Sequence, residues 1–254
     1  MRLPRNTLPV LAVLAVLGLW QLSGLFLNPI LISTPSEVGR ELYFLVRFGA
    51  LPLALVQSLE EMLIGLAAGL AVGITAGVLM GRYEAVEKVL SPYVNFFNAT
   101  PLVVVIPLVV IWVGISIKAR LLFIFLVTLW PVLLNTLAGI KNVPSGYVDV
   151  GRAFGLSEAQ IVRQIAIPAA VPYILTGARI SAGLAIIGMI VSEMEVSFVG
   201  LGFLLLHFGS AFETGRLLAV IAVSSLFGIA NVIVVKWVQR RFFPWIAAVA
   251  AGGL

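Results

Sequence analysis

Stretches of roughly 20 mostly apolar residues recur along this chain, separated by short polar interruptions, and they constrain its fold more than any other feature. They lie near 8–27, 54–81, 96–117, 121–140, 171–192 and 217–238. In hydrocarbon a segment must satisfy its own backbone hydrogen bonds, which leaves the helix or the closed barrel, and runs of this length fit helices. The expected fold class is therefore an all-α integral membrane protein with about six transmembrane helices in a single domain over residues 1–254. Composition agrees: 61% of residues are hydrophobic and only 11% charged, against roughly 45–50% and 25% in a soluble domain. Too little polar surface remains to cover a soluble core, so lipid is an expected partner.

The formal net charge of +5 raises the question of nucleic acid, but the basic residues sit scattered at the ends of apolar runs and form no patch, so no nucleic-acid partner is expected. The absence of cysteine excludes disulfides, thiolate metal sites and thiol nucleophiles, and no metal site is expected. Arg2 and Arg5 precede an apolar run from Leu8 to Leu19 that continues through Trp20 to Leu27 without a small-x-small cleavage site, which favours a retained first span over an export signal. With about six spans both termini share a side. That side carries ten lysines and arginines against five opposite, so the termini are expected in the cytoplasm. Arg179 falls inside a span, from which its guanidinium can snorkel to the interface.

Three local patterns add detail. Thr34-Pro35-Ser36-Glu37 combines a cap residue, proline at the first helical position and a glutamate that closes a capping box, predicting a short outer helix over 35–47. Gly65, Gly69, Gly73, Gly77 and Gly81 form a small-residue stripe on the second span, which predicts close helix packing within the subunit ahead of a dimer seam. The third span is interrupted by Asn98-Ala99-Thr100-Pro101 and by Pro107, and proline at membrane depth places this stretch against protein or a wet cavity. Asn98-Ala99-Thr100 also spells a glycosylation acceptor, a poor reading at that depth and before proline.

The loop 141–168 is polar enough to leave the membrane and lies on the expected cytoplasmic side. It reads as two short helices: one from about Ser145 to Phe154, stopped by Gly155 in a left-handed cap, and one capped by Ser157 with Gln160 completing a box and ended by Pro168. On pattern alone, a linker lying on the membrane fits equally well.

The spacing inside the loop favours more than a linker. Asp149-Val150-Gly151, then Gly155, nine residues, and Ile165-Ala166-Ile167-Pro168 resembles the EAA loop of binding-protein-dependent ABC importers: Glu-Ala-Ala, three residues, Gly, nine residues, Ile-x-Leu-Pro. The leading triplet departs from that pattern, with Asp149 for Glu and Val150 and Gly151 for the alanines. Further stretches are similar to the nitrate, sulfonate and taurine branch of these permeases: Ser33-Thr34-Pro35-Ser36-Glu37-Val38, Ile111-Trp112-Val113-Gly114-Ile115, Leu129 to Thr136, Val191-Ser192-Glu193-Met194 and Gly200-Leu201-Gly202. Glu60-Glu61 stands where many members carry a basic residue.

The resemblance implies a type I ABC importer transmembrane-domain fold with a cytoplasmic helix-turn-helix coupling loop. It implies that Asp149, Gly151, Arg152, Ala153, Phe154, Gly155, Ile165 and Pro168 serve coupling to a separate ATPase subunit. It also implies a second permease copy, a homodimer, and a periplasmic or lipid-anchored solute-binding protein. No Gly-x-x-x-x-Gly-Lys-Ser/Thr loop occurs, so the chain is expected not to be an enzyme and to hold no cofactor, ATP and magnesium belonging to the partner. The cargo implied is a small anion of the nitrate, sulfonate or taurine kind, or a related organic solute.

Asn98, Thr100, Asn135 and Glu193 are the candidate residues of a translocation pathway, with Thr136 a further uncharged group. Glu193 closes the fifth span and Glu195 follows; a gate carboxylate is one reading, a water-exposed interfacial one the simpler. His207, alone in an outer loop, reads as solvated. An ion-gradient-driven secondary transporter is the alternative class. It would show two similar halves with paired broken helices, whereas only one span is plainly broken here.

Overall fold

The computed structural model describes residues 7–24, 26, 28 and 32–244, which are all-helical where regular. The helices are α1 (Thr7–Ser23), α2 (Pro35–Arg47), α3 (Leu51–Arg82), α4 (Glu84–Ala99), α5 (Ile106–Val113), α6 (Ile117–Lys141), α7 (Ser145–Ala153), α8 (Glu158–Ile161), α9 (Ile167–Val196), α10 (Leu201–Ser210) and α11 (Thr214–Phe242). A 3-10 turn over Leu102–Val105 precedes α5, and a π-helical turn over Val162–Ala166 joins α8 to α9.

Four helical stretches are long and apolar enough to cross a bilayer: Leu51–Arg82, Ile117–Lys141, Glu158–Val196 and Thr214–Phe242. The pair Glu84–Ala99 and Leu102–Val113, bent by 99°, makes a fifth. α1 has 17 residues, about 26 Å at 1.5 Å per residue, which is short of a hydrocarbon core of about 30 Å. The expected count of about six is thus four or five by helix length among the described residues. Leu25 and Leu27, at the end of the expected first span, lie outside them.

The glycine stripe sets the register of the bundle's centre. A Cβ on Gly65 would fall 2.5 Å from Ile124 Cγ2, one on Gly77 2.6 Å from Thr136 Cβ, and one on Gly81 2.7 Å from Ile140 Cβ. Gly69 faces Thr128 and Gly73 faces Val132 in the same way. Each glycine of α3 therefore meets the α6 residue 59 positions further along, the separation that also links Glu61 to Arg120. A constant positive offset means that α3 and α6 run parallel. The chain between them must return to the starting end, so α4 and α5 form a broken crossing and not a re-entrant loop. Packing within the subunit, expected for this stripe, is what the structure shows.

That broken crossing starts at Glu84, some twelve residues before the third span read from hydropathy, and bends at Thr100-Pro101. Proline disfavours helical backbone in the preceding residue, and Thr100 is extended (φ −82°, ψ 128°). α9 runs antiparallel to α6: Gly139 abuts Tyr173, Gly177 abuts Val132, and Ser181 Oγ donates to Thr128 O at 2.6 Å. α11 lies antiparallel to α9, where Gln239 Nε2 donates to Leu175 O at 2.9 Å and Arg179 donates to Gln239 Oε1. Leu51, Met62, Ile124, Met189, Leu201 and Val220 form the main buried core shared by α3, α6, α9, α10 and α11.

The outer helix expected over 35–47 is α2, with its capping box in place: Thr34 N donates to Glu37 Oε2 at 3.0 Å and Glu37 N to Thr34 Oγ1 at 3.4 Å. Pro168 does not end the second loop helix as expected. α8 continues through the π turn into α9, making one helical rod over Glu158–Val196. Ile167 N reaches back five residues to Val162 O, and this widened turn accommodates a proline that an α-helical turn excludes.

Candidate functional site

The loop that leaves the bundle beyond α6 is built by three local devices. α7 ends in a Schellman turn: Gly155 N donates to Arg152 O at 2.9 Å and Leu156 N to Gly151 O at 3.0 Å, with Gly155 at φ +75°. Ser157 then caps α8, its N donating to Gln160 Oε1 at 2.8 Å while Gln160 N reaches Ser157 Oγ at 3.4 Å. Gly151 lets α7 lie directly on the rod, since a Cβ there would sit 2.7 Å from Ile165 Cδ1 and 3.3 Å from Ile161 Cγ1. A glycine where the EAA pattern has alanine is thus explained by the bulk of Ile161 and Ile165.

Electrostatics secure the same end. Glu158 pairs with Arg82 at the end of α3 and with Arg152 Nε at 3.3 Å, and Arg152 lies 3.7 Å from Asp149. Lys141 meets Glu87 at 2.5 Å, joining the end of α6 to the start of α4. Of the residues expected to serve coupling, Asp149, Arg152, Ala153, Phe154 and Gly155 lie at the surface of the loop. Gly151 and Ile165 are its internal contact, and Pro168 is exposed on α9. Tyr147 and Val150 on α7 and Phe154 at its C-cap, spaced three and four apart, leave one apolar face uncovered, Phe154 being 82% exposed.

The bend between α4 and α5 opens a second feature, a cleft of about 270 Å³ against α6 and α9. Asn98 and Thr100 line it together with Phe97, Trp130, Leu184 and Ile187. Thr100 Oγ1 is engaged with Phe96 O at 2.8 Å, while Asn98 is exposed. Asn135 does not line this cleft; its Nδ2 donates to Pro131 O at 2.8 Å on its own helix.

Glu193 departs from both readings given above. It is 1% exposed, so it is neither a water-facing interfacial group nor on the cleft. Ser58 Oγ donates to Glu193 Oε1 at 2.7 Å and Gly202 N to Oε2 at 2.8 Å, while Ser58 Oγ accepts from Leu201 N at 3.0 Å. The carboxyl group is drawn inward because it accepts from the Gly202 amide in the first turn of α10, while the Ser58 hydroxyl that it orients takes the amide of Leu201. Nearby, Arg120 donates through Nε and Nη2 to Glu61 at 2.8 and 2.5 Å and through Nη1 to Val196 O at 3.2 Å. Sequence reasoning missed both Ser58 as the partner of Glu193 and the Glu61–Arg120 pair, because separations of 135 and 59 residues leave no local signal. Glu195 and His207 are exposed.

A membrane bundle with parallel central helices, a proline-broken crossing and a capped loop mounted on a spanning rod defines the transmembrane component of a transporter. The family model for the binding-protein-dependent transport system inner membrane component matches residues 69–247, and the chain belongs to this family: it is a multi-pass permease subunit of the ABC importer type. Among relatives, the taurine transport system permease protein TauC of Escherichia coli (strain K12) is 30% identical over 191 residues, covering 75% of this chain and 70% of that protein. The bicarbonate transport system permease protein CmpB of Synechocystis sp. is 32% identical over 206 residues, covering 77% and 74%. The fold is similar to that of a chain of the MetNI methionine ABC transporter in an inward-facing form, with a TM-score of 0.64, 21% identity, and coverage of 78% of this chain and 96% of that one.

Proposed function

We propose that this permease works as a homodimer whose loop 141–168 faces the cytoplasm and docks α7 onto a separate ATPase subunit, while a solute-binding protein delivers cargo on the opposite side. ATP and magnesium act on the ATPase, and this chain performs no hydrolysis of its own. The observation that carries the reading is mechanical. The uncovered Tyr147–Val150–Phe154 face sits on a helix locked by the Schellman turn at Gly155, and Gly151 seats that helix on a rod running without a break from Glu158 to Val196. Force applied to α7 therefore reaches a spanning helix through packed contacts. Nucleotide state then biases two packings of the spans through differential contact at that face.

The cargo we propose is a small oxoanion, free or on a short organic body, the chemistry common to the solutes for which the two relatives are named. Few charges lie in the spans, which leaves the choice among such solutes to the binding protein. Under this reading α9 leaves the side of the loop and the antiparallel α11 returns to it, so the C-terminus lies in the cytoplasm where the basic residues are concentrated, and the N-terminus joins it there only with α1 counted as a sixth crossing.

Replacing Gly155 by valine tests the coupling role, since a β-branched residue resists φ +75°. ATPase activity and uptake are measured with the complete transporter in vesicles. Loss of ATP-driven uptake is expected; unchanged coupling would overturn the assignment.

A further inference from the structure

At the end of the molecule that carries the loop, α9 and α11 present cations that no carboxylate answers. Arg179, Lys236 and Arg240 are exposed and form no ion pair among the described residues. α11 has no acidic residue, and α9 has none before Glu193 at its far end. Arg179 is held in place: its Nε donates to Gln239 Oε1 at 3.1 Å and its Nη2 to the same oxygen, while Gln239 Nε2 is tied to Leu175 O at 2.9 Å. Nη1 is left without a protein partner among the described residues. Gln239 marks the face of α11 that meets α9, and a Cβ on Gly228 further along that face would meet Ile186 Cδ1 at 4.0 Å. With 3.6 residues per turn and antiparallel axes, Lys236 and Arg240 lie on the flank of this seam to which Arg179 projects, whereas Arg241 points away from α9.

The depth of this cluster matches a lipid headgroup. Nineteen uncharged residues separate Arg216 from Lys236, about 30 Å at 1.5 Å per residue, which is the thickness of a hydrocarbon core. Lys236 and Arg240 thus reach the interface opposite the one that Arg216 marks, and Trp237 beside them is 61% exposed, as an interfacial anchor is. One turn further into the membrane the same flank is apolar and open: Val232 is 46% exposed, and a Cβ on Gly183 would meet nothing within 4 Å.

We propose that this flank is a binding site for an anionic phospholipid, its phosphate held by Arg179, Lys236 and Arg240 and the start of its acyl chain laid over Gly183 and Val232. A general excess of basic residues at one membrane face needs no such arrangement. Here one guanidinium is oriented in advance by Gln239, and three cations converge from two helices on one flank. Guanidinium and ammonium groups both give charge-assisted hydrogen bonds to phosphate oxygens. The apolar strip beside them suits a lipid and offers nothing to a free anion. Placement in the inner leaflet rests on the importer reading above; the lipid preference does not.

The chain has no cysteine, so Val232→Cys supplies a unique thiol for a bimane label beside the site. With the full-length permease in neutral detergent, quenching is titrated with phosphatidylglycerol and with phosphatidylcholine, each carrying a nitroxide near the top of one acyl chain. Phosphatidylglycerol should half-quench at a concentration at least about ten-fold lower, two or more cations contributing about five-fold each. Lys236→Gln and Arg240→Gln should each remove about five-fold of that preference. Arg241→Gln, which deletes the same charge at the same depth on the far side of α11, should leave it unchanged. All three side chains are exposed, so the substitutions leave the packed interior intact. Equal half-quenching by the two lipids, or equal effects of Arg240→Gln and Arg241→Gln, would overturn the proposal. Displacement of the labelled phosphatidylglycerol by inorganic phosphate in molar excess would overturn it too, by assigning the site to a free anion. No ATPase or uptake enters the measurement, so failure of the importer reading, tested through Gly155, would leave the site standing.

Discussion

Arg120 and Glu61 form a two-pronged ion pair across the seam between α3 and α6, with Nε to Oε2 at 2.8 Å and Nη2 to Oε1 at 2.5 Å, and the two residues are only 8% and 3% exposed. The pair continues the glycine register upward by one step. Where the glycines end, charge replaces close packing as the link between the parallel helices, and Arg120 extends it to α9 through Val196 O.

Removing one partner leaves the other charged and buried, at a cost of about 3–5 kcal/mol, whereas replacing both by apolar residues of similar volume is often near neutral. Arg120→Met is predicted to lower the unfolding temperature in detergent strongly, and Glu61→Met with Arg120→Met to recover most of the loss. A double variant no better than the single one would contradict this account of the pair.

The seam below is predicted to tolerate no added side chain where backbone is the obstacle. A Cβ on Gly77 would lie 2.7 Å from Leu133 O, and a carbonyl of a neighbouring helix cannot rotate away. Gly77→Val should abolish stable expression, an overpacking cost of about 1–3 kcal/mol or more. Gly183→Ala, with nothing within 4 Å of the added atom, should leave stability unchanged or slightly improved. Fluorescence-detected size exclusion of both variants is the measurement.

How much of this was legible in the sequence depends on whether a feature is local. The capping boxes at Thr34 and Ser157 and the left-handed Gly155 were readable because each is fixed by residues within a few positions. The glycine stripe was readable as a packing face, but not its partner, since nothing in α3 names Ile124 or Thr136. The third span was misplaced because α4 carries Glu84, Glu87 and Lys88, whose polarity hides a helix that leads into the crossing. Pro168 was read as a stop because a π turn, which accommodates it, has no sequence signature beyond the proline itself. Glu193 was placed in water because its partners Ser58 and Gly202 lie in other elements, one of them 135 residues away.

Glu193 supports α10 more than it faces any cavity, and its removal is predicted to be felt there. Glu193→Ala leaves Gly202 N and Ser58 Oγ without their acceptor, a cost of about 1–3 kcal/mol for each buried group. Glu193→Gln retains an acceptor for one of the two and should lose about half as much. Hydrogen exchange at the first amides of α10 reads the difference; equal protection in all three proteins would contradict the capping role.

The tie between Arg82 and Glu158 is half in solvent, so it is worth at most about 1 kcal/mol to stability. Its predicted importance is mechanical, because it fixes the base of the rod to α3. Glu158→Gln should leave the unfolding temperature within a degree or two while reducing uptake per ATP hydrolysed several-fold, and Arg82→Gln should do the same by removing the other half of the tie. Reconstituted uptake measured beside ATPase turnover checks both.

Coupling in the proposed transporter depends above all on α7 presenting its uncovered apolar face to an ATPase. Phe154 projects from that face with 82% of its surface open, so Phe154→Asp changes docking chemistry without touching the packed interior. The decisive measurement is co-purification of the ATPase subunit with the permease carrying Phe154→Asp, scored beside the permease's own unfolding temperature. We predict at least a ten-fold loss of associated ATPase with the unfolding temperature unchanged; full association and undiminished ATP-driven uptake would contradict the account.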